Sequence, residues 1–101
     1  GTLLAGGRYE VLQEIGGGAH SQVYRALDLA DPAGRRQVAL KVERVSGGVR
    51  PLLQAEADVF RRLVGCPGIP KIFGFVERDP QAGNGDVMVA ELLGEDFRVL
   101  L

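Results

Sequence analysis

Apolar residues along the chain first recur at strand-like spacing and then at helical spacing. Tyr9, Val11 and Ile15 precede a glycine run, and Val23, Tyr24, Ala26 and Leu27 follow it. This predicts two strands, about residues 9–15 and 22–29, joined as a hairpin. Asp31-Pro32-Ala33-Gly34 is turn chemistry leading into a third strand around Val38-Ala39-Leu40-Lys41-Val42. Its alternation points Ala39 and Lys41 to one face and Val38, Leu40 and Val42 to the other. Beyond Ser46-Gly47-Gly48, the apolar residues Leu52, Val59, Phe60 and Leu63 recur every three or four positions. With Pro51 placed for a first turn and Gly65-Cys66-Pro67-Gly68 as a stop, they predict a helix over 52–64. Residues 69–76 predict a fourth strand, 80–86 a turn, and 87–90 a buried fifth strand.

The predicted fold class is therefore α+β, a five-stranded antiparallel sheet with one main helix. Residues 1–7 are expected to be a flexible leading segment, 8–94 the domain, and 95–101 a separate C-terminal segment. At 101 residues the chain has enough length for one core.

Candidate chemistry sits at the glycine turn, Ile15-Gly16-Gly17-Gly18-Ala19-His20-Ser21-Gln22-Val23-Tyr24. A dinucleotide fold needs such glycines to open a helix, and here a strand follows. A hairpin tip almost bare of side chains lets backbone amides approach an anion such as a phosphate chain. Lys41, on the same face as the small Ala39, is the nearest candidate counter-charge. An ordinary strand lysine beside a glycine-rich hairpin would give the same pattern. The helix carries one carboxylate, Glu56, on its apolar stripe, fifteen residues after Lys41. A carboxylate drawn toward a core needs a cation, and Lys41 is in range. The alternative is a Glu56 at the stripe's edge, solvated by water.

Composition narrows the function classes. A net charge of −1 gives no electrostatic case for nucleic acid or an anionic membrane as partner. The single cysteine, Cys66, rules out an intrachain disulfide and a cysteine metal site, and a reducing intracellular setting, cytoplasmic or nuclear, is expected. No apolar run approaches the ~20 residues of a membrane helix. His20, the sole histidine, is expected as a solvated loop-tip residue with no metal role.

The order strand, strand, strand, helix, strand, strand, with the glycine hairpin and Val38-Ala39-Leu40-Lys41, resembles the small lobe of a protein kinase. Gly68-Ile69-Pro70, Lys41-Val42-Glu43 and Val87-Met88-Val89-Ala90-Glu91-Leu92-Leu93-Gly94 resemble the casein kinase one group, including its tau-tubulin kinase branch. The hairpin Gly18-Ala19-His20-Ser21-Gln22-Val23-Tyr24 is similar instead to the Bub kinases, which stand as second choice. The resemblance implies that Gly16 and Gly18 cover the phosphates of ATP, while Ile15, Val23 and Ala39 enclose the adenine. It implies that the Glu91 carbonyl and Leu93 amide bind the adenine edge, and that Lys41, paired with Glu56, contacts the phosphates. Ala90 would gate the back of the pocket and leave room for bulky ligands. Strand packing alone would also account for Ala90 and Leu93.

Two loop positions depart from the kinase pattern: Ser21 replaces the usual third glycine, and His20 stands where an aromatic tip is common. The catalytic-loop aspartate, its asparagine and an Asp-Phe-Gly motif are not found in this sequence. The expectation is thus an ATP-binding small lobe of a serine/threonine kinase, catalytically incomplete as this chain, with magnesium bound only alongside a large lobe. A stand-alone module for dimerisation or regulatory protein binding is the alternative. Phe97, Val99, Leu100 and Leu101, with the apolar underside of the sheet, are expected to meet a large lobe, a partner protein or a second copy. Sedimentation at micromolar concentration should show self-association, and a monodisperse monomer would remove that expectation.

Overall fold

The computed structural model describes residues 2–17, 21–43 and 52–92. Its elements in chain order are β1 (Leu3–Leu4), β2 (Tyr9–Gly17), β3 (Ser21–Asp28), β4 (Gln37–Glu43), α1 (Leu52–Arg62), β5 (Ile72–Asp79) and β6 (Gly85–Glu91), with a short 3-10 turn at Pro80–Ala82. The strands form one antiparallel sheet in the order β1-β2-β3-β4-β6-β5. The fold class is α+β as expected, but the sheet has six strands rather than five.

The sixth strand comes from the leading segment. Leu3 and Leu4 pair with Glu10 and Tyr9, too short a stretch to show any sequence period. What holds it is remote: the Ala5 amide donates to Asp79 Oδ2 at 2.7 Å, and the Gly7 amide to Gln81 Oε1 at 2.9 Å. Asp79 is buried, so its carboxylate needs these donors, and it takes a further one from the Gln81 amide at 3.1 Å.

The two faces of β4 divide as its alternation predicts. Val38, Leu40 and Val42 join Leu4, Tyr9, Ala26, Val87 and Val89 in the larger apolar core. On the other face, Leu53, Ala57 and Phe60 of α1 pack on Met88, with Ile69, Ile72 and Phe75 around them. The buried stripe of α1 is therefore turned by one residue from the expected one. Val59 and Leu63 are exposed, and the side chain of Leu52 lies outside the described residues. Leu52-Leu53 and Val59-Phe60 are adjacent apolar pairs, so the sequence offers two stripes about 100° apart. Ala57, small enough to let the helix close on Met88, accompanies only one of them.

Two boundaries also move. The helix ends at Arg62 rather than 64, with Arg61 and Arg62 placed favourably against the negative end of its dipole. β5 begins at Ile72 rather than 69, because Gly68 has φ +81 and Pro70 has no N–H to give to a ladder. Among the described residues, no helix is long and apolar enough to cross a membrane.

Charge also fastens the start of β2 to the end of β3. Asp28, buried, accepts from Arg8 Nε at 3.3 Å, Arg8 Nη2 at 3.4 Å and the Ala30 amide at 3.0 Å. Burial pushes its carboxyl pKa up, but these donors and the nearby Arg8 and Arg36 charges outweigh burial and leave it below the ordinary value. Asp31, in the β3–β4 turn, is likewise held low by the Arg35 and Arg36 amides. Both carboxyls bind protons less readily folded than unfolded. Their stabilising contribution is therefore complete above the unfolded pKa of about 3.9 and is lost as pH falls through the lower folded values. Denaturation midpoints should be level above about pH 5 and fall below about pH 4. Asp28→Asn should lower the midpoint at neutral pH and make the acid fall shallower; an unchanged slope would remove Asp28 from the account.

Candidate functional site

Strand register assembles the site. Gly16 lies opposite Val23, Val23 opposite Lys41, and Lys41 opposite Met88. In the neighbouring row, Gln13, Arg25, Ala39 and Ala90 are opposed in turn, with Ile72 beyond. Residues directly opposed across an antiparallel pair project from the same face. Gly16, Val23, Ala39, Lys41 and Ala90, which come from four strands, thus share one face. The helix covers that face over β6 and β5 through Met88, Ile72 and Phe75.

Lys41 reaches toward the helix. Its Nζ lies 2.9 Å from Glu56 Oε1 and 3.0 Å from Oε2, a two-pronged contact. The lysine side chain is 11% exposed and the glutamate 27%. Glu56 occupies the edge of the buried stripe, between Leu53 and Phe60, and is partly exposed. The pair is therefore asymmetric: both groups are largely withdrawn from water, the cation more completely than the anion.

The glycines of the hairpin differ in what they accommodate. A Cβ on Gly17 would sit 3.1 Å from the Ser21 carbonyl oxygen and 3.4 Å from Gln22 Cα, so close packing of the hairpin itself asks for glycine there. A Cβ on Gly16 would meet only Val23 Cβ at 4.0 Å, an ordinary contact, and Gly16 has no positive φ. Among the described residues, internal packing gives no reason for its bareness. Ile15, partly buried, falls in the irregularity between Glu14 and Gly16.

Ala39 and Ala90 face each other across β4 and β6, both fully buried. Glu91 closes β6 opposite Val38; its N–H donates to the Lys71 carbonyl at 2.8 Å, and its carboxylate accepts from the Lys71 amide at 3.4 Å. Gly18, His20 and Leu93 lie outside the described residues, as do Phe97, Val99, Leu100 and Leu101. Among the described residues, no group of three or more His, Cys, Asp or Glu side chains is placed to hold a metal.

Two side chains on this face were not singled out from the sequence. Arg25, opposite Ala39, donates to Gln37 Oε1 at 3.0 Å and Gln13 Oε1 at 3.4 Å, so a guanidinium borders the row of small residues. Glu43, two residues past Lys41, accepts from the Leu53 amide at 2.9 Å. Both stand two positions along a strand from a residue already identified, Val23 or Lys41, and period-two counting would have found them.

Chemically, the face offers the Lys41 ammonium fixed by the Glu56 carboxylate, in one row with Val23 and Gly16 and beside the small Ala39. Such a group can hold an anion, since one carboxylate leaves donor capacity on Nζ. The asymmetry of the pair sets its mutational response. Glu56→Ala strands a buried ammonium and should cost up to about 3 kcal/mol, whereas Lys41→Met puts an apolar chain in an apolar place and should cost less, within about 1 kcal/mol. Urea denaturation of both variants checks the order; equal losses would mean that the pair is not desolvated as described.

No protein-family model matches the sequence. Over 98 residues, 97% of its length, the chain is 31% identical to Casein kinase I homolog 1 of Schizosaccharomyces pombe. It spans 20% of that protein's length, and the similarity, though distant, is consistent with a kinase small lobe. The match lies on the casein kinase side of the two resemblances, and the Bub-type resemblance of the hairpin gains no support from it.

Proposed function

We propose that the chain is the ATP-binding small lobe of a serine/threonine protein kinase of the casein kinase one type. The observation that carries this reading is the Lys41–Glu56 contact on the same sheet face as Ala39 and Gly16. Gly16 supports it, because among the described residues neither its backbone conformation nor its packing requires a glycine, and close approach of a ligand would. The distant similarity to Casein kinase I homolog 1 points the same way.

In this reading ATP supplies the phosphoryl group, and the residues of this chain bind and orient it. Gly16 and Gly18 admit the phosphates to the hairpin backbone. Lys41, held in direction by Glu56, contacts phosphate oxygens. Ile15, Val23 and Ala39 enclose the adenine, with the Glu91 carbonyl and Leu93 amide as partners for its polar edge. Ala90, with a single methyl group, bounds the rear of that space. Proton removal from the acceptor hydroxyl and magnesium binding belong to a large lobe, as does closure of the floor of the site. A small lobe by itself then binds nucleotide weakly and transfers no phosphate.

Titration of the chain with magnesium ATP, followed by amide chemical shifts, tests the reading. Shifts are expected at Gly16, Val23, Ala39 and Glu91 in the millimolar range, with Lys41→Met weakening the response about 10-fold or more. A wild-type chain whose amides do not move, or a Lys41→Met chain that responds equally, would defeat it.

A further inference from the structure

We propose that Glu43 is a positioning residue: from strand β4 its carboxylate holds the first turn of α1 where Glu56 can meet the Lys41 ammonium. The functional weight of this inference rests on the nucleotide-site reading of Lys41, but its geometry does not. Lys41 and Glu43 are two apart on one strand and so project from the same face of the sheet. Lys41 reaches Glu56 and Glu43 reaches the backbone of Leu53, so adjacent side chains on one face of β4 grip the helix at points one turn apart. The spacings agree, with a rise of about 4.5 Å between helix positions 53 and 56 and about 6.6 Å between strand positions 41 and 43.

The second grip supplies what the first lacks. An ion pair between two long side chains fixes the distance between charges but leaves helix rotation and sliding soft. The Leu53 amide is a backbone group at the second position of α1, with no acceptor inside the helix, so a carboxylate at 2.9 Å fixes the helix axis itself. The first turn of α1 contains no acidic residue, and the negative charge that complements its dipole comes from the strand.

Glu43 is itself held in place from both sides. Its backbone pairs with Ser21 at the base of the glycine hairpin and with Asp86 on β6. Next to Asp86 stands Gly85, buried, where any Cβ would run into the Glu43 carbonyl oxygen. Since Gly85 has no positive φ, its glycine is explained by this approach alone.

The test observes the Lys41 ammonium in the ligand-free 101-residue chain by nitrogen NMR of the lysine side chains, where a paired, buried ammonium exchanges slowly with water. Glu43→Ala should speed that exchange about fivefold, and Glu43→Gln, which retains an acceptor oxygen for the Leu53 amide, about twofold or less. Asp31→Ala, which removes a comparable cap in the β3–β4 turn, should leave it unchanged. An unaltered Lys41 signal in Glu43→Ala would overturn the proposal. An equal response to Asp31→Ala would also overturn it, since global stability would then account for both. If Glu43→Ala does not fold, Glu43→Asp carries the comparison, with an intermediate acceleration expected and no acceleration counting against the proposal. Magnesium ATP titration of the same variants separates the two readings. If Glu43→Ala weakens nucleotide affinity about fivefold in the wild-type background and not further in Lys41→Met, the positioning role extends to the nucleotide. If nucleotide binds and Lys41 ignores Glu43, the positioning role fails and the nucleotide site stands. If Lys41 responds to Glu43 while no nucleotide binds, the nucleotide reading fails and the positioning role stands.

Discussion

An ammonium taken almost out of water has to be met by a carboxylate, and in this protein that requirement decides where the helix goes. Lys41 cannot turn to the larger core, because Val38, Leu40 and Val42 occupy that face of β4. It cannot reach bulk water without abandoning its place beside Ala39. Glu56 is the partner, and it is carried by α1. The helix lies over β6 and β5 with Leu53, Ala57 and Phe60 inward and Val59 outward, and Glu56 at the edge of that stripe. The doublets leave two neighbouring stripes open; the small Ala57 accompanies the one that is buried, and Glu56 reaches Lys41 from its edge.

The sheet consequently has a structural face and a working face. The structural face is apolar and is closed at its edge by buried carboxylates: Asp79 gathers β1 and the 3-10 turn, and Asp28 joins Arg8 to the end of β3. The other face carries the small residues Gly16, Ala39 and Ala90, the Lys41 ammonium, the Arg25 guanidinium at its border, and a helix packed over β6 and β5. Small residues contribute little packing energy, so the core on this face is confined to the part over β6 and β5 where Leu53, Ala57 and Phe60 meet Met88.

Much of this was legible in the sequence, and particular residues show why. The alternation of Val38 to Val42 was readable because the two faces of β4 differ so strongly in chemistry. The fifteen-residue step from Lys41 to Glu56 was readable because a charge on an apolar stripe calls for a partner. Leu3 and Leu4 gave no signal, since a two-residue strand has no period and its anchor, Asp79, lies 74 residues from Ala5. The doublets Leu52-Leu53 and Val59-Phe60 left the helix's rotation ambiguous by about 100°. Ile69-Pro70 looked like the start of a strand because apolar character was visible while the missing donor of Pro70 counted for too little. Glu43 entered only as the end of the Lys41-Val42-Glu43 resemblance and was given no role, although it stands two residues from the lysine that drew attention.

The strand order carries one more consequence. β2, β3 and β4 form a continuous meander, and β5 and β6 form a hairpin, each closed by local contacts. The two units meet along the β4–β6 pairing, where Val38 to Glu43 face Glu91 to Asp86 across more than forty residues of chain. Such non-local pairing forms late, after the entropy of bringing distant segments together has been met. Lys41 and Ala39 lie on one side of that seam, Met88 and Ala90 on the other. The β2-β3-β4 unit alone would hold Gly16, Val23, Ala39 and Lys41 without Ala90, Met88 or the surface on which α1 packs, so the full set of candidate residues comes together only when the two units join.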